Sequence, residues 1–172
     1  GYVAIVIGAS YATKKLPLLK LQQLCKKINF PIVLVGGKED AKEGDAVASI
    51  DPIKIYNACG KFSINESASI IQKSRLVISH DTGLLYIACA FNKPTLAIWG
   101  ATSPMLQVEP YFGEASITAL GLNKPPYQNF IVPHLSCQPC SNYGTKKCPK
   151  GHFNCMMLQD TTAIAAAVEK YL

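Results

Sequence analysis

The sequence predicts an α/β fold built on a doubly wound, Rossmann-like parallel sheet. Short apolar runs, each long enough for a buried strand, alternate about five times with segments of helical spacing. The stretch from Leu76 to Pro104 contains one complete unit: an apolar run to Ser79, a turn at 80–83, a helical segment, and a second apolar run from Thr95 to Trp99. Because a right-handed crossover joins two such strands, we expect them to lie parallel in one sheet.

The amino-terminal elements follow the same pattern. Tyr2 to Ile7 is apolar throughout, which predicts a central strand covered on both faces. Pro17 fits the first turn of a helix that carries apolar residues at helical spacing as far as Ile28. Pro31 to Val35 is predicted as the second strand, and Gly36-Gly37 as the turn that follows it.

The later elements are shorter and less regular. We predict an edge strand at Ile53 to Asn57, a helix at Ile64 to Ser74, a loop or strand at 113–122, and a last strand at Phe130 to Val132.

Composition divides the chain into three parts. Residues 1–133 form the predicted sheet domain, 134–158 a Cys-rich segment, and 159–172 an Ala-rich amphipathic helix. We expect this last helix to pack on a further domain. Since the sequence has no initial Met, it is expected to be an excised part of a longer protein.

The composition is that of a globular protein and excludes several classes. The 172 residues are 49% hydrophobic and 16% charged, which is enough to bury a core. No apolar run approaches the roughly 20 residues that span a bilayer, and the amino end lacks a signal-peptide pattern. The formal charge of +6 is dispersed apart from a cluster at 146–150, so we expect a phosphorylated small molecule as partner and no nucleic acid.

Polar residues follow two predicted parallel strands where each strand ends. Ser10 and Lys14 come after the first strand, and Asp81-Thr82-Gly83 comes after the strand at 76–79. Helix N-termini at this edge direct free N–H groups towards an anion, and an ammonium or hydroxyl adds further donors. The alternatives are a simple helix start at 81–83 and a solvated loop lysine at position 14. The first turn lacks the G-x-G-x-x-G pattern, which disfavours a dinucleotide-dependent oxidoreductase.

Three acidic residues follow the second predicted strand, namely Glu39, Asp40 and Glu43. Carboxylates in the first turns of a helix are favoured by the helix dipole, and this explanation is sufficient. A functional alternative is a hydrogen bond from one of them to a ribose hydroxyl, as in nucleotide-binding folds of this class. The sequence does not distinguish among the three.

The seven cysteines form two groups. Cys25, Cys59 and Cys89 lie in apolar contexts, and scattered thiols of this kind favour a reducing compartment, here the cytoplasm. The other four crowd the last quarter of the chain and are candidate ligands of a structural zinc, with His152 as a fifth: Cys137, Cys140, Cys148 and Cys155. The spacing of the second pair is looser than in a zinc ribbon, so disulfides and unpaired thiols remain alternatives.

Taken together, these motifs resemble the C-terminal domain of the family 9 glycosyltransferases, which include the ADP-heptose:lipopolysaccharide heptosyltransferases. The resemblance covers nearly the whole chain. It rests on five stretches in order: Lys14-Lys15-Leu16-Pro17, Gly36-Gly37 with the following acids, Asn57-Ala58-Cys59-Gly60-Lys61, Ser79-His80-Asp81-Thr82-Gly83, and Lys93-Pro94 through Trp99 to Pro104. Tyr86 departs from the pattern, because the familiar heptosyltransferases have His there, which leaves the transferred sugar open.

The resemblance implies the donor-binding half of a two-domain GT-B enzyme that inverts the sugar configuration. Ser10 and Lys14 would bind the diphosphate of an ADP-heptose-like donor, while Asp81, Thr82 and Gly83, with Tyr86 nearby, would face the diphosphate and sugar. The general base and the glycolipid acceptor site, for a lipopolysaccharide core or similar glycan, would lie on a missing N-terminal domain, so the chain alone would be inactive. No cofactor is needed for catalysis, and the whole enzyme would work in the cytoplasm, with peripheral association at the inner membrane. The alternative is a nucleotide- or zinc-binding module whose Cys-rich segment recruits a partner.

Overall fold

The computed structural model describes all 172 residues and contains a six-stranded, all-parallel sheet. The strands in chain order are β1 (Val3–Val6), β2 (Ile32–Val35), β3 (Ile55–Asn57), β4 (Leu76–His80), β5 (Thr95–Ile98) and β6 (Tyr127–Phe130). Their spatial order is β3-β2-β1-β4-β5-β6. The predicted doubly wound fold is therefore confirmed.

Seven α-helices connect and flank the strands. They are α1 (Leu18–Lys27), α2 (Ala41–Ala48), α3 (Ile64–Lys73), α4 (Gly83–Ala90), α5 (Glu114–Ala119), α6 (Asn154–Met157) and α7 (Thr161–Val168), with short 3-10 turns at Ala12–Lys14, Lys38–Asp40, Pro104–Leu106 and Glu169–Tyr171. None of these helices combines the length and apolar character needed to cross a bilayer.

The two faces of the sheet are both covered, which explains why β1 is apolar at every position. Val3 and Ile5 belong to the larger core cluster, which includes buried residues of α1, α2 and α7. Ala4 and Val6 point the other way, into a smaller cluster with residues of α3 and α4. Successive side chains of a strand alternate between faces, so a strand with helices on both sides carries no polar face.

The sheet reverses its winding direction at β1, which positions the candidate site. The chain passes from β1 to β2 on one side and returns beside β1 at β4. Val6 pairs with both Val35 and Ser79, so the carboxyl ends of β1, β2 and β4 lie level with one another. Ligands of open α/β sheets bind in the crevice outside such a reversal point.

Three sequence predictions need correction. Residues 114–119 form a helix rather than a strand, with Glu114 favourably placed in its first turn. The last strand is Tyr127–Phe130, earlier than predicted, because Tyr127 pairs in register with Thr95. The C-terminal helix packs on α1 and buries Ile164 in the main core, so its apolar face is covered by this chain and is not free for a further domain.

Replacing Ile164 by alanine tests this packing. Ile164 is fully buried between α7 and the core, so Ile164→Ala should lower the free energy of unfolding by about 2–5 kcal/mol. The matched change at fully exposed Ile53, Ile53→Ala, should stay within about 0.5 kcal/mol. Urea denaturation measures both, and equal effects would contradict the described packing.

Candidate functional site

A cleft of about 180 Å³ lies at the carboxyl ends of β1 and β2, beside the start of α4. Its walls include Gly8 and Ser10 from the loop after β1, Gly37 and Glu39 from the turn after β2, and Thr82. Residues from three predicted loops therefore meet at the reversal point of the sheet. A larger hollow, of about 530 Å³, lies around Leu122 to Gln128 and the C-terminal turn, away from these residues.

Lys14 and Asp81 form an ion pair where β4 leads into α4. The Lys14 ammonium lies 2.8 Å from Asp81 Oδ2, and the two side chains are only 13% and 11% exposed. The Thr102 hydroxyl, from the loop after β5, donates a hydrogen bond to the same carboxylate oxygen at 2.9 Å. Asp81 immediately precedes the cleft-lining Thr82, but neither Lys14 nor Asp81 itself lines the cleft. The loops after β1 and β5 thus both contact the carboxylate that follows β4.

The start of α4 remains open to a ligand. Thr82 is the N-cap residue, yet its side chain makes no capping hydrogen bond, and the Asp81 carboxylate is occupied by Lys14 and Thr102. The space where a side chain of Gly83 would stand is empty out to 4 Å. The first N–H groups of a helix have few partners within it, and no side chain of Thr82 or Asp81 caps them here.

The three acids after β2 have different environments. Asp40 and Glu43 both pair with Lys15, at 2.7 and 2.8 Å from its ammonium. Asp40 is buried and approaches the backbone so closely that a Cβ at Gly8 would lie 2.3 Å from its carboxylate. Glu39 is exposed and lines the cleft. Of the three, Glu39 is the acid with no lysine partner.

Lys15 is a structural charge that the sequence did not single out. Burial alone would lower the pKa of Lys15, but hydrogen bonds and charge interactions with Asp40 and Glu43 outweigh it and raise the pKa. The neighbouring lysines therefore differ in their partners: Lys15 pairs with the acids after β2, while Lys14 pairs with the acid after β4. In the sequence, two adjacent lysines are followed by the acids at 39, 40 and 43. This pattern does not show which lysine pairs with which acid.

His80, immediately before Asp81, also had no predicted role. It is 1% exposed, and its Nε2 accepts a hydrogen bond from the Leu16 backbone N–H at 2.9 Å. An imidazole that accepts at Nε2 carries its proton on Nδ1. Burial, aided by the charge of Lys15, lowers the pKa of His80 to about 3. A neutral His80 therefore joins β4 to the loop that bears Lys14.

Tyr86 lies away from the cleft lining. Its hydroxyl donates to the Val108 carbonyl at 2.7 Å, which ties α4 to the loop after β5. Burial, with the charge of Asp81, raises the pKa of Tyr86 to about 12. The structure thus pairs Lys14 with Asp81 and places Ser10 and Thr82 in one cleft, whereas the Tyr86 hydroxyl binds the loop after β5.

The Cys-rich segment does not form the suggested zinc site. All seven cysteines are free thiols, and no group of three or more His, Cys, Asp or Glu side chains is arranged to hold a metal ion. Cys137 Sγ lies 4.0 Å from His152 Nε2, while Cys155 is buried in the main core. Packing in the core accounts for Cys155, and of the three alternatives the structure has unpaired thiols.

Sequence similarity connects the chain to sugar-transferring enzymes. Residues 1–145 match glycosyltransferase family 9 (heptosyltransferase). The chain is 30% identical over 89 residues to lipooligosaccharide heptosyltransferase 2 of Haemophilus influenzae, covering 49% of this chain and 26% of that protein. It is 36% identical over 109 residues to lipopolysaccharide heptosyltransferase 1 of Campylobacter coli, covering 58% and 32%. The chain thus matches about a quarter to a third of the length of these relatives.

Solved structures share the fold over almost the whole chain. ADP-heptose LPS heptosyltransferase II of E. coli superposes with a TM-score of 0.75 at 15% identity, covering 99% of this chain and 46% of that one. The E. coli heptosyltransferase WaaC with ADP-2-deoxy-2-fluoro heptose gives a TM-score of 0.66 at 15% identity, covering 99% and 43%. The chain therefore has the fold of these structures over nearly its whole length, and it corresponds to slightly less than half of each enzyme.

The buried neutral His80 makes the stability of the fold sensitive to acid. Its pKa of about 3 is below the ordinary value of 6.5, so between these pH values the unfolded state binds a proton that the folded state does not. The free energy of unfolding should therefore fall by up to about 1.4 kcal/mol per pH unit as the pH drops from 6.5 towards 3. Urea denaturation at pH 7, 6 and 5 should show this slope in the wild type and lose it in His80→Gln.

The control is His134→Gln, which alters an exposed histidine and should keep the wild-type slope. Carboxylate titration is common to all three proteins and cancels in the differences. Parallel curves for the wild type and His80→Gln would show that His80 protonates alike in both states.

Proposed function

This chain belongs to glycosyltransferase family 9, and we propose that it is the half of an inverting glycosyltransferase that binds the nucleoside-diphosphate sugar. One observation carries the proposal: the Lys14–Asp81 pair lies at the turn between β4 and α4, and the next residue, Thr82, lines a cleft at the reversal point of the sheet. Such a position is suited to a pyrophosphate, because helix N–H donors and an ammonium converge there.

The diphosphate is the group that this geometry recognises. One N–H of the Lys14 ammonium is used in the contact with Asp81, and its other two N–H groups are available to phosphate oxygens. Ser10 and Thr82 line the cleft, and neither hydroxyl has a protein partner that competes with a ligand. Departure of the nucleoside diphosphate builds negative charge as the glycosidic bond breaks, so fixed donors stabilise the transition state more than the ground state. The proposed reaction needs no cofactor.

Glu39 is the acid that we assign to the ribose. Asp40 and Glu43 both pair with Lys15, and Asp40 is buried, so neither presents an unpaired carboxylate to a ligand. Glu39 is exposed at the cleft and can accept hydrogen bonds from vicinal hydroxyls. This assignment selects one of the three acids that the sequence left open.

The transferred sugar is heptose or a close relative, and the acceptor is a lipopolysaccharide core or similar glycan. This part of the proposal rests on the names of the relatives, which are lipopolysaccharide and lipooligosaccharide heptosyltransferases. In the proposal the general base and the acceptor site lie outside this chain, and the whole enzyme works in the cytoplasm at the inner-membrane face. The alternative is a nucleotide- or zinc-binding module with a Cys-rich partner-binding segment, and for its zinc-binding form the structure has no metal-holding group.

Removal of Lys14 should weaken nucleotide binding. Lys14→Ala is expected to raise the dissociation constant for ADP by about tenfold or more, because hydrogen bonds from a charged donor to phosphate are lost. Isothermal titration calorimetry measures the change. Lys42→Ala, at an exposed lysine of α2, is the control and should bind like the wild type.

A double variant separates lost donors from unmasked repulsion. Lys14→Ala leaves the Asp81 carboxylate without its partner, and this charge would repel a diphosphate. Lys14→Met/Asp81→Asn removes both charges and should still bind ADP weakly. Recovery of wild-type affinity would show that Lys14 merely neutralises Asp81.

Replacing Glu39 tests the ribose contact. Glu39→Gln should weaken ADP binding by about tenfold but leave the affinity for 2′,3′-dideoxy-ADP unchanged, because the lost hydrogen bonds require ribose hydroxyls. Titration of both ligands gives the comparison. Glu43→Gln should affect both nucleotides equally if it acts only through Lys15. Equal losses for both ligands in Glu39→Gln would reject the assignment.

A further inference from the structure

Residues 138–145 of the Cys-rich segment form a bridge between two loops of the candidate site. At one end the Gln138 amide donates to the Gly100 carbonyl at 2.7 Å, with longer contacts to the Trp99 and Thr102 carbonyls at 3.3 and 3.2 Å. The Cys140 backbone N–H donates to the Ala101 carbonyl at 3.0 Å. This end therefore fixes the loop after β5, whose Thr102 binds Asp81.

The other end of the bridge fixes the turn that carries Lys14. The Thr145 backbone N–H donates to the Thr13 hydroxyl at 2.7 Å, and that hydroxyl donates back to the Thr145 carbonyl at 2.9 Å. Thr13 is 3% exposed, and its own carbonyl accepts from the Ala101 N–H at 3.0 Å. Thr13 therefore contacts both the bridge and the loop after β5.

Gly144, within the bridge, packs directly against the Lys14 side chain. Its φ is +95°, and a Cβ added there would lie 2.8 Å from Lys14 Cδ and 2.9 Å from Lys14 Cγ. The methylene stem of Lys14 thus rests on a surface with no room for a side chain. At its far end the ammonium is held by Asp81. The side chain of Lys14 is therefore constrained along its stem by Gly144 and at its ammonium by Asp81.

We propose that Thr13 and Gly144 are positioning residues that direct the Lys14 ammonium towards the diphosphate of the donor. The inference rests on the proposed function and extends it to the Cys-rich segment, for which the structure shows no metal-holding group. Without the bridge, a lysine side chain samples many rotamers, and fixing them on binding costs free energy. With the bridge, the ammonium is held before the ligand arrives.

The test measures ADP binding by calorimetry in four single variants and one double variant of the chain. Gly144→Ala places a methyl group against the Lys14 stem, while Thr13→Val removes the hydroxyl with little change in shape. Gly151→Ala is the matched control, since Gly151 also has a positive φ, of +76°, but no atom within 4 Å of an added Cβ. Lys14→Ala and Gly144→Ala/Lys14→Ala complete a double-mutant cycle.

We expect Gly144→Ala to weaken ADP binding by about tenfold and Thr13→Val by several-fold, with Gly151→Ala unchanged. In the Lys14→Ala background, Gly144→Ala should cause a much smaller further loss, because only its contact with Tyr11 Cβ, 2.9 Å from the added methyl group, remains. Thermal denaturation of each variant shows whether weaker binding comes from a lost contact or from an unfolded protein. If Gly144→Ala does not fold, Thr13→Val still tests the positioning role.

Two failures are distinguishable. If the wild type binds neither ADP nor any other nucleoside diphosphate, the proposed function is wrong. If the wild type binds and Lys14→Ala weakens binding, but Gly144→Ala and Thr13→Val behave like Gly151→Ala, only the positioning role is overturned. An equal loss from Gly144→Ala with and without Lys14 would also overturn it, since the effect would then bypass the lysine.

Discussion

The ion pair between Lys14 and Asp81 is the contact on which the candidate site depends. It joins the loop after β1 to the turn after β4, the two strands at which the sheet reverses direction. Removing two charges from water offsets much of their attraction, so a pair of this kind adds little to global stability. Its effect is geometric: it fixes where an ammonium stands relative to the open start of α4.

A second group of charges lies in the same loop. Lys15 pairs with both Asp40 and Glu43, and the neutral His80 accepts a hydrogen bond from the Leu16 N–H. The other ring nitrogen of His80, Nδ1, is buried without a partner, so the contacts of this loop are not fully satisfied. The two adjacent lysines therefore have separate partners: Lys15 binds the acids after β2, and Lys14 binds the acid after β4.

The sequence predicted the elements that depend on a short stretch of residues. The apolar run from Tyr2 to Ile7 predicts a strand, because a strand that is buried on both faces, as β1 is, has no polar face. The same reasoning located Lys14 and Asp81 at one edge, since parallel strands end together. It failed for the last helix, since an amphipathic stripe does not reveal which surface covers it, and α7 packs on α1.

The bridge could not be predicted for a related reason. Thr13 and Thr145 are separated by 132 positions, and their hydrogen bonds involve backbone groups that leave no compositional trace. Gly144 offered one faint signal, a glycine between polar residues, but many loop glycines have no such neighbour, as Gly151 shows. The cysteine spacing pointed to the segment that contains the bridge, but it did so by suggesting a metal site, and the structure has no metal-holding group there.

The charge balance of the site indicates how it would select an anion. Near the cleft, Asp81 compensates Lys14, and Lys15 is paired with two acids, so the chain's formal charge of +6 is not concentrated there. Recognition would then depend on directed N–H and O–H donors rather than on net charge, which favours a ligand of matching shape over anions in general. Donors that are already oriented need no rearrangement when charge develops on a leaving diphosphate, and such preorganisation is how an electrostatic site lowers a barrier. Contacts distant in sequence, from residue 13 to residue 145, therefore bear on the chemistry because they determine whether that orientation exists before the ligand binds.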